Sequence, residues 1–330
     1  MPDFDPKRMA ANTSDIESVV LPEPVVDQLE AFLWTIARMY DGSNGFHNYE
    51  HACHVTMSCN KYLHRIVAAA ADTNGETEST TELLHCLSSD PLVHFAIVFS
   101  ALIHDAGHPG VSNQQLAREG SDLATKYENK SILEQNSVQL AMAALNSGSY
   151  PDLLSFLFSN DDDFSRFRQL VINSVMATDI FDNELSVSQN QRWKKAFGDD
   201  EDENGASTTI DLKATLVIEQ IIKTADVAHT MQHWHVYQKW NQCLFDEMSD
   251  AFRQGRSSGG DPADGWYKGE LWFFDNYVIP LAKKLAECRA FGGCSDECLT
   301  YALQNRQEWE INGEQIVEKM KADRLSIFNF

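Results

Sequence analysis

The chain is short of cations. Its 330 residues hold 26 Lys and Arg against 49 Asp and Glu, a formal net charge of −23. Binding to a phosphate backbone draws on clustered Lys and Arg, so no nucleic-acid partner is expected. Cysteine chemistry is also sparse. The seven cysteines (Cys53, Cys59, Cys86, Cys243, Cys288, Cys294 and Cys298) are odd in number, and none forms a CxxC pair. With no secretory leader ahead of them, they read as reduced thiols of a cytoplasmic protein. Long hydrophobic runs are missing too. The longest, at 92–103, is interrupted by His94 and Ser100, well short of the roughly 20 apolar residues that span a bilayer. No membrane segment is expected, and the chain reads as soluble. Hairpin signals with β-type alternation are absent, as are internal repeats.

What is present is helical periodicity. Apolar residues recur at spacings of three and four in 26–40, 52–69, 92–102, 131–145, 164–176, 214–227, 236–252, 271–285 and 297–320, the mark of helices with one buried face. Breaks fall at 41–45, 70–80, 146–150, 198–207 and 255–265, most of them rich in Gly, Ser, Asp and Asn. The acidic run at 199–203 and the stretch RSSGGDPADG read as exposed loops. An apolar content of 43% supports one large core, and no linker divides it. The expected fold is all-α: a compact multi-helix single domain over 21–330, preceded by a flexible arm at 1–20.

Metal-binding side chains gather from distant places: His47 and His51 in HNYEH, His104 and Asp105 in HDAGHPG, and Asp226 in KTADVAH. Imidazole and carboxylate in this number suit divalent ions and metal-assisted hydrolysis of a phosphoester. The charge balance agrees, because a polyanionic globule acting on an anionic substrate must reverse its potential locally, as bound cations do. If HNYEHACHV opens a helix, His47 and His51 share a face, one to ligate and one to work on substrate. His104-Asp105 ends the apolar segment before it. Asp226 closes a helix whose face carries Val217, Ile218, Ile221 and Ile222, and carboxylates so placed are unfavourable unless paired or metal-bound.

Taken in order, HNYEHACHV, HDAGHPGVSNQQL, SILEQN, VMATDI, the stretch from KTADVAH to Trp240, and GELWFFDNYVIPL resemble the class I cyclic nucleotide phosphodiesterases. The likeness runs from Phe46 to Trp309. It implies a catalytic domain of the phosphodiesterase, HD-domain type, with about sixteen helices around one core and a pocket holding Zn²⁺ and a second divalent ion, Mg²⁺ or Mn²⁺. His51, His104, Asp105 and Asp226 match the family's metal ligands, with Asp105 bridging both ions. Waters on the second ion would be held by His108, Glu134 and Thr178. His47 matches the general acid that protonates the leaving 3′ oxygen. A hydroxide shared by metals about 3.5–4 Å apart would attack phosphorus in line, leaving a 5′-nucleoside monophosphate. Phe273 matches the aromatic residue stacked on the purine, and Leu244 the apolar residue on its other face.

The chain departs from the family's pattern at Phe46, Gly107, Asn136, Ser137, His229 near the base, and above all Glu270, where a glutamine is usual. An ionised carboxylate only accepts hydrogen bonds, which matches guanine N1–H and N2–H₂. Burial would instead keep Glu270 protonated and less discriminating, and at a solvent-facing helix start it would do neither. The expectation is a mild preference for cyclic GMP over cyclic AMP that grows with pH. Two other functions share the ligand set: an HD-superfamily nucleotidase acting on nucleoside phosphates, and a non-catalytic cyclic-nucleotide-binding regulator. HNxxH and Phe273 count against the first, and retention of His47 with all four ligands against the second. The domain could also be the cytosolic part of a longer, membrane-tethered protein with regulatory or cyclase domains.

Overall fold

A computed structural model of the chain describes residues 20–198, 210–257, 259–292 and 296–327. The acidic run at 199–203, Cys294 and nearly all of the expected N-terminal arm lie outside the described residues. Fifteen α-helices and no strand occur among those described. In chain order they are α1 (Glu23–Ala37), α2 (Tyr49–Ala71), α3 (Glu78–Ser88), α4 (Pro91–Ile103), α5 (Asn113–Glu119), α6 (Asp122–Lys126), α7 (Ile132–Leu145) and α8 (Pro151–Leu157). There follow α9 (Asp161–Met176), α10 (Asn183–Phe197), α11 (Ile210–Asp226), α12 (Trp234–Arg253), α13 (Pro262–Phe273), α14 (Ile279–Glu287) and α15 (Glu297–Ile327).

Local chemistry starts most of them. Asp90 accepts from the amides of Leu92 and Val93 with Pro91 at the first helical position, so α4 begins where its apolar run begins. Asn160 caps α9, and Asp161, Asp162 and Asp163 fill its first turn, where the helix dipole favours negative charge. At α13 the expected loop is shorter than RSSGGDPADG. Asp261 caps the helix and Pro262 opens it, so Ala263, Asp264 and Gly265 are helical despite their loop-like composition. The expected single helix over 271–285 is instead α13 and α14 joined through a π turn at Phe274–Val278. Periodicity leaves α3, α5, α6, α8 and α10 unassigned. The first four are short, and α10 is polar, with Trp193 and Ala196 as its buried residues.

The core is built around α2, α4, α9 and α11. Ile97, Phe99, Ala101 and Ile103 of α4 pack with Val55, Cys59 and Ile66 of α2 and with Leu216, Val217 and Ile221 of α11. Phe32, Phe95, Phe99, Phe158 and Phe167 form a chain of ring contacts that ties α1, α4 and α9 together. A smaller cluster of Val111, Leu116, Ala124, Ile132, Leu133 and Ala251 seats α5, α6 and the start of α7. This packing brings the C-terminal ends of α4 and α11 to the N-terminal end of α2. No single helix among the described residues is long and apolar enough to cross a membrane. The described cysteines are all free thiols.

Candidate active site and metal centre

His47 lies ahead of α2, one residue before its N-cap. The Asn48 side chain accepts from the His51 amide at 3.1 Å, and this capping geometry needs extended backbone at the cap. The expected shared helical face is thereby corrected: His51 sits in the first turn and His47 outside the helix. Their rings still approach to 6.3 Å. Gly45 lets this loop lie close against α12, because a Cβ there would meet the Cys243 carbonyl oxygen at 2.9 Å. Asn44 Nδ2 donates to the carbonyls of His47 at 3.1 Å and His108 at 2.8 Å, tying this loop to the one after α4.

His104 terminates α4, Asp105 follows it, and Asp226 is the last residue of α11. His51 Nε2 stands 3.2 Å from Asp226 Oδ1 and 3.7 Å from Asp105 Oδ2. His104 Nε2 stands 3.0 Å from Asp105 Oδ2 and 3.3 Å from Asp226 Oδ1. The imidazoles are buried, whereas the two carboxylates keep 15% and 21% exposure, so the cluster opens on its carboxylate side. His104 Nδ1 lies 2.9 Å from the Ala101 carbonyl. A carbonyl only accepts, which puts the ring proton on Nδ1 and aims the Nε2 lone pair at the carboxylates. That Nε2 is buried without a hydrogen-bond partner. A lone pair facing carboxylate oxygens at such range is repulsive unless a second proton or a cation stands between them. The two imidazoles and two carboxylates therefore fit a divalent metal ion.

The electrostatics agree. Burial alone would lower His104, but Asp105 and Asp226 outweigh it and hold the group well above its ordinary value. Burial would raise Asp105, but His104 and His47 hold it well below the carboxylate range. The cluster demands a positive charge, whether from protons or from a metal.

A second group adjoins it. Glu247 Oε1 lies 2.5 Å from His47 Nδ1, while Oε2 accepts the amides of Phe46 at 2.8 Å and His47 at 2.9 Å. Glu247 is 6% exposed and His47 26%, so the imidazole can reach a ligand and its partner cannot. Burial would lower the His47 pKa, but Glu247 and then Asp105 raise it to about 9. His108 stacks on His47 with centroids 3.8 Å apart. Its Nδ1 accepts from the Gly110 amide, and burial followed by the His47 charge lowers it to about 3, so it stays neutral. Phe46 is buried and touches the rings of His47, His51, His229 and Trp240, walling the site.

Of the three residues expected around a second ion, His108 is thus in the site. Glu134 is one step out, accepting from Asn113 Nδ2 at 2.9 Å. Burial and neighbouring Asp179 raise it to about 7. The Thr178 hydroxyl donates to the Val175 carbonyl at 2.8 Å, and no described hydrogen bond links it to the ligand cluster. Gly107 also has a physical account. Its φ is +76°, and a Cβ would meet Leu140 Cδ1 at 2.6 Å and Asn136 Nδ2 at 3.1 Å, so an acidic side chain does not fit there.

On α13, Glu270 is buried, not solvent-facing, and its Oε2 accepts from Tyr237 Oη at 2.7 Å. Burial raises it to about 7, against the lowering hydrogen bonds from Tyr237 and Asn241. Phe273 stacks on Tyr277 with centroids 5.3 Å apart. Phe273 and Leu244 are half-buried against the main core, and His229 is buried beside Trp240. Sequence reasoning missed Glu247, Tyr237, Asn241 and Trp266. They sit inside α12 and α13 without a motif, and only their long-range partners mark them.

The family model described as 3'5'-cyclic nucleotide phosphodiesterase matches residues 46–292. Dual specificity calcium/calmodulin-dependent 3',5'-cyclic nucleotide phosphodiesterase 1C of Mus musculus and of Homo sapiens are each 30% identical over 212 residues, 64% of this chain and 25% of the relative. The 1B protein of Mus musculus is 28% identical over 212 residues, 64% of this chain and 33% of the relative. The chain thus spans about a quarter to a third of the curated relatives it matches. Among solved structures, the phosphodiesterase domain of Salpingoeca rosetta rhodopsin phosphodiesterase superposes with a TM-score of 0.66 at 21% identity, covering 91% of this chain and 84% of that one. That is a likeness of fold.

Proposed function

Because the chain belongs to the 3'5'-cyclic nucleotide phosphodiesterase family, we propose that it hydrolyses 3′,5′-cyclic nucleotides to 5′-nucleoside monophosphates. The observation that carries this reading is the convergence of His51, His104, Asp105 and Asp226 within 3.0–3.7 Å, with the His47–Glu247 pair beside them. His51, His104, Asp105 and Asp226 would hold Zn²⁺, and Asp105 would be shared with a second ion such as Mg²⁺ or Mn²⁺. Bound there, divalent ions supply Lewis-acid neutralisation of the phosphate and make water a competent nucleophile near neutral pH. His47, kept protonated by Glu247, donates its Nε2 proton to O3′ as the P–O3′ bond breaks. Glu247 stays ionised, since His47 offsets its burial and lowers it to about 2. Phe46 and Trp240 exclude bulk water from one side of the reacting phosphate.

The purine end of the reading rests on a directional chain of hydrogen bonds. Indole N–H only donates, so Trp266 Nε1, 3.1 Å from Asn241 Oδ1, fixes that amide's orientation. Asn241 Nδ2 must then donate to Tyr237 Oη, 3.4 Å away, and Tyr237 must donate to Glu270 Oε2. With Tyr237 on Oε2 and Asn241 alongside, Oε1 would be the oxygen that meets the base. Ionised, it accepts from guanine N1–H and N2–H₂ and repels the adenine N1 lone pair. Protonated, it donates and loses that preference. Selectivity for cyclic GMP should therefore grow as pH rises through about 7. Phe273 and Leu244 would clamp the purine, with His229 at its edge.

Hydrolysis of cyclic AMP and cyclic GMP by the purified chain, with metal content measured on the same sample, tests the proposal. Turnover of 5′-nucleotides or triphosphates instead of cyclic substrates would overturn it in favour of a nucleotidase, and binding without turnover in metal-loaded protein would leave a regulator.

A further inference from the structure

We propose that Arg192, Lys223 and Lys284 form a second anion site, outside the ligand cluster, that takes a phosphate-bearing molecule where α10, α11 and α14 meet. One turn of α10 brings them together. Lys223 Nζ lies 2.7 Å from Gln189 Oε1, Lys284 Nζ lies 2.5 Å from Asn190 Oδ1, and Arg192 follows on the same turn. Lys284 also stands 5.6 Å from the centroid of the Trp193 ring.

The cluster is short of negative charge. Arg192 Nη1 pairs with Glu219 at 3.1 and 3.3 Å, and Glu219 is buried. Neither lysine has a carboxylate within ion-pair distance among the described residues. Each meets one neutral amide oxygen, although an ammonium has three N–H donors to satisfy. Arg192 Nε is buried and has no partner. Burial and then Lys284 lower Lys223 to about 8, with Glu219 as the opposing influence. Burial lowers Lys284, Glu287 opposes it, and Lys194 adds a smaller lowering. In a chain of net charge −23, three cations from three helices gathered around one carboxylate, Glu219, are not explained by general solvation. The spare groups are all donors, so their complement is a compact ligand with acceptors only and more than one negative charge, which is a phosphate group.

The full chain, stripped of metal with EDTA so that the ligand cluster cannot retain phosphate, is titrated calorimetrically with inorganic phosphate and separately with 5′-GMP. One saturable site is expected, weakened at least about tenfold in Lys223→Met and Lys284→Met, which keep the apolar stems. Equal affinity for both ligands assigns the site to phosphate alone, and tighter 5′-GMP binding lost in the same variants assigns it to a nucleotide. Independently of whether the variants fold, acetic anhydride labelling of wild type near pH 8, read by peptide mass spectrometry, should modify Lys223 readily and be blocked there by phosphate. Exposed Lys283 should be labelled without protection. No saturable binding, binding unchanged in both variants, or labelling of Lys223 indifferent to phosphate overturns the proposal.

Discussion

At the hydrolytic end of the site, charges arrive in opposed sets: two imidazoles against two carboxylates, and His47 against Glu247. At the end assigned to the base, one carboxyl arrives against a chain of neutral hydrogen-bond partners. Opposed charges fix each other's protonation, which is why Asp105 and Glu247 are held low while His47 and His104 are held high. A buried carboxyl without a countercharge is raised by desolvation, against two lowering hydrogen bonds, to about 7, where it titrates under working conditions. The same residue type thus serves as a fixed charge in one place and as a pH-dependent recognition element in the other.

Breaking the opposed set should have the largest effect. Asp226→Ala removes a carboxylate facing both His51 and His104, and kcat should fall by more than about 100-fold, beyond what loss of an outer partner costs. Metal content read by atomic emission should fall with it. A variant with full activity and metal would separate Asp226 from the centre.

A smaller loss is expected from Glu247→Gln. Without the carboxylate, burial is opposed only by the more weakly acting Asp105 and Asp226, so the His47 pKa drops and the protonated acid is depleted. The kcat should fall by about 10–100-fold, less than the roughly 100–10,000-fold that a general acid contributes, because the imidazole itself remains. The limb of the pH–rate profile on which activity falls with rising pH should move to lower pH, with KM little changed. An unmoved limb would assign that limb to another group.

The mildest effect should come from Glu270→Gln, and it should appear in selectivity and stability more than in rate. The ratio of kcat/KM for cyclic GMP over cyclic AMP should rise in wild type between pH 6 and 8, and lie flat in the variant. A carboxyl raised from 4.5 to about 7 on folding favours the folded state least where it is ionised. Its contribution is intact below pH 4.5, declines as pH rises, and is fully lost above about 7, a difference of up to about 3 kcal/mol. Thermal melting at pH 8 should therefore show Glu270→Gln more stable than wild type, and the gain should vanish near pH 5. Tyr237→Phe removes the one donor that anchors Oε2, so the selectivity transition should move to higher pH. A ratio indifferent to pH in wild type would end the comparison between the two regions.

Much of this was legible in the chain itself. The proposed ligands lie at helix ends, and helix ends are written locally: Asn48 as a cap ahead of His51, an apolar run that stops at His104, and a buried face that stops at Asp226. Period and capping are properties of neighbouring residues, so the sequence determined an all-helical fold and which side chains are proposed to hold the metal.

Tertiary structure alone decided which groups control them. Glu247 is one acid among 49 Asp and Glu until α12 brings it against His47, 200 residues away in sequence. Glu270 could equally have faced water at a helix start until Tyr237, Asn241 and Trp266 closed over it. Protonation is set by desolvation and by charges from other elements, and neither is written in the residues alongside.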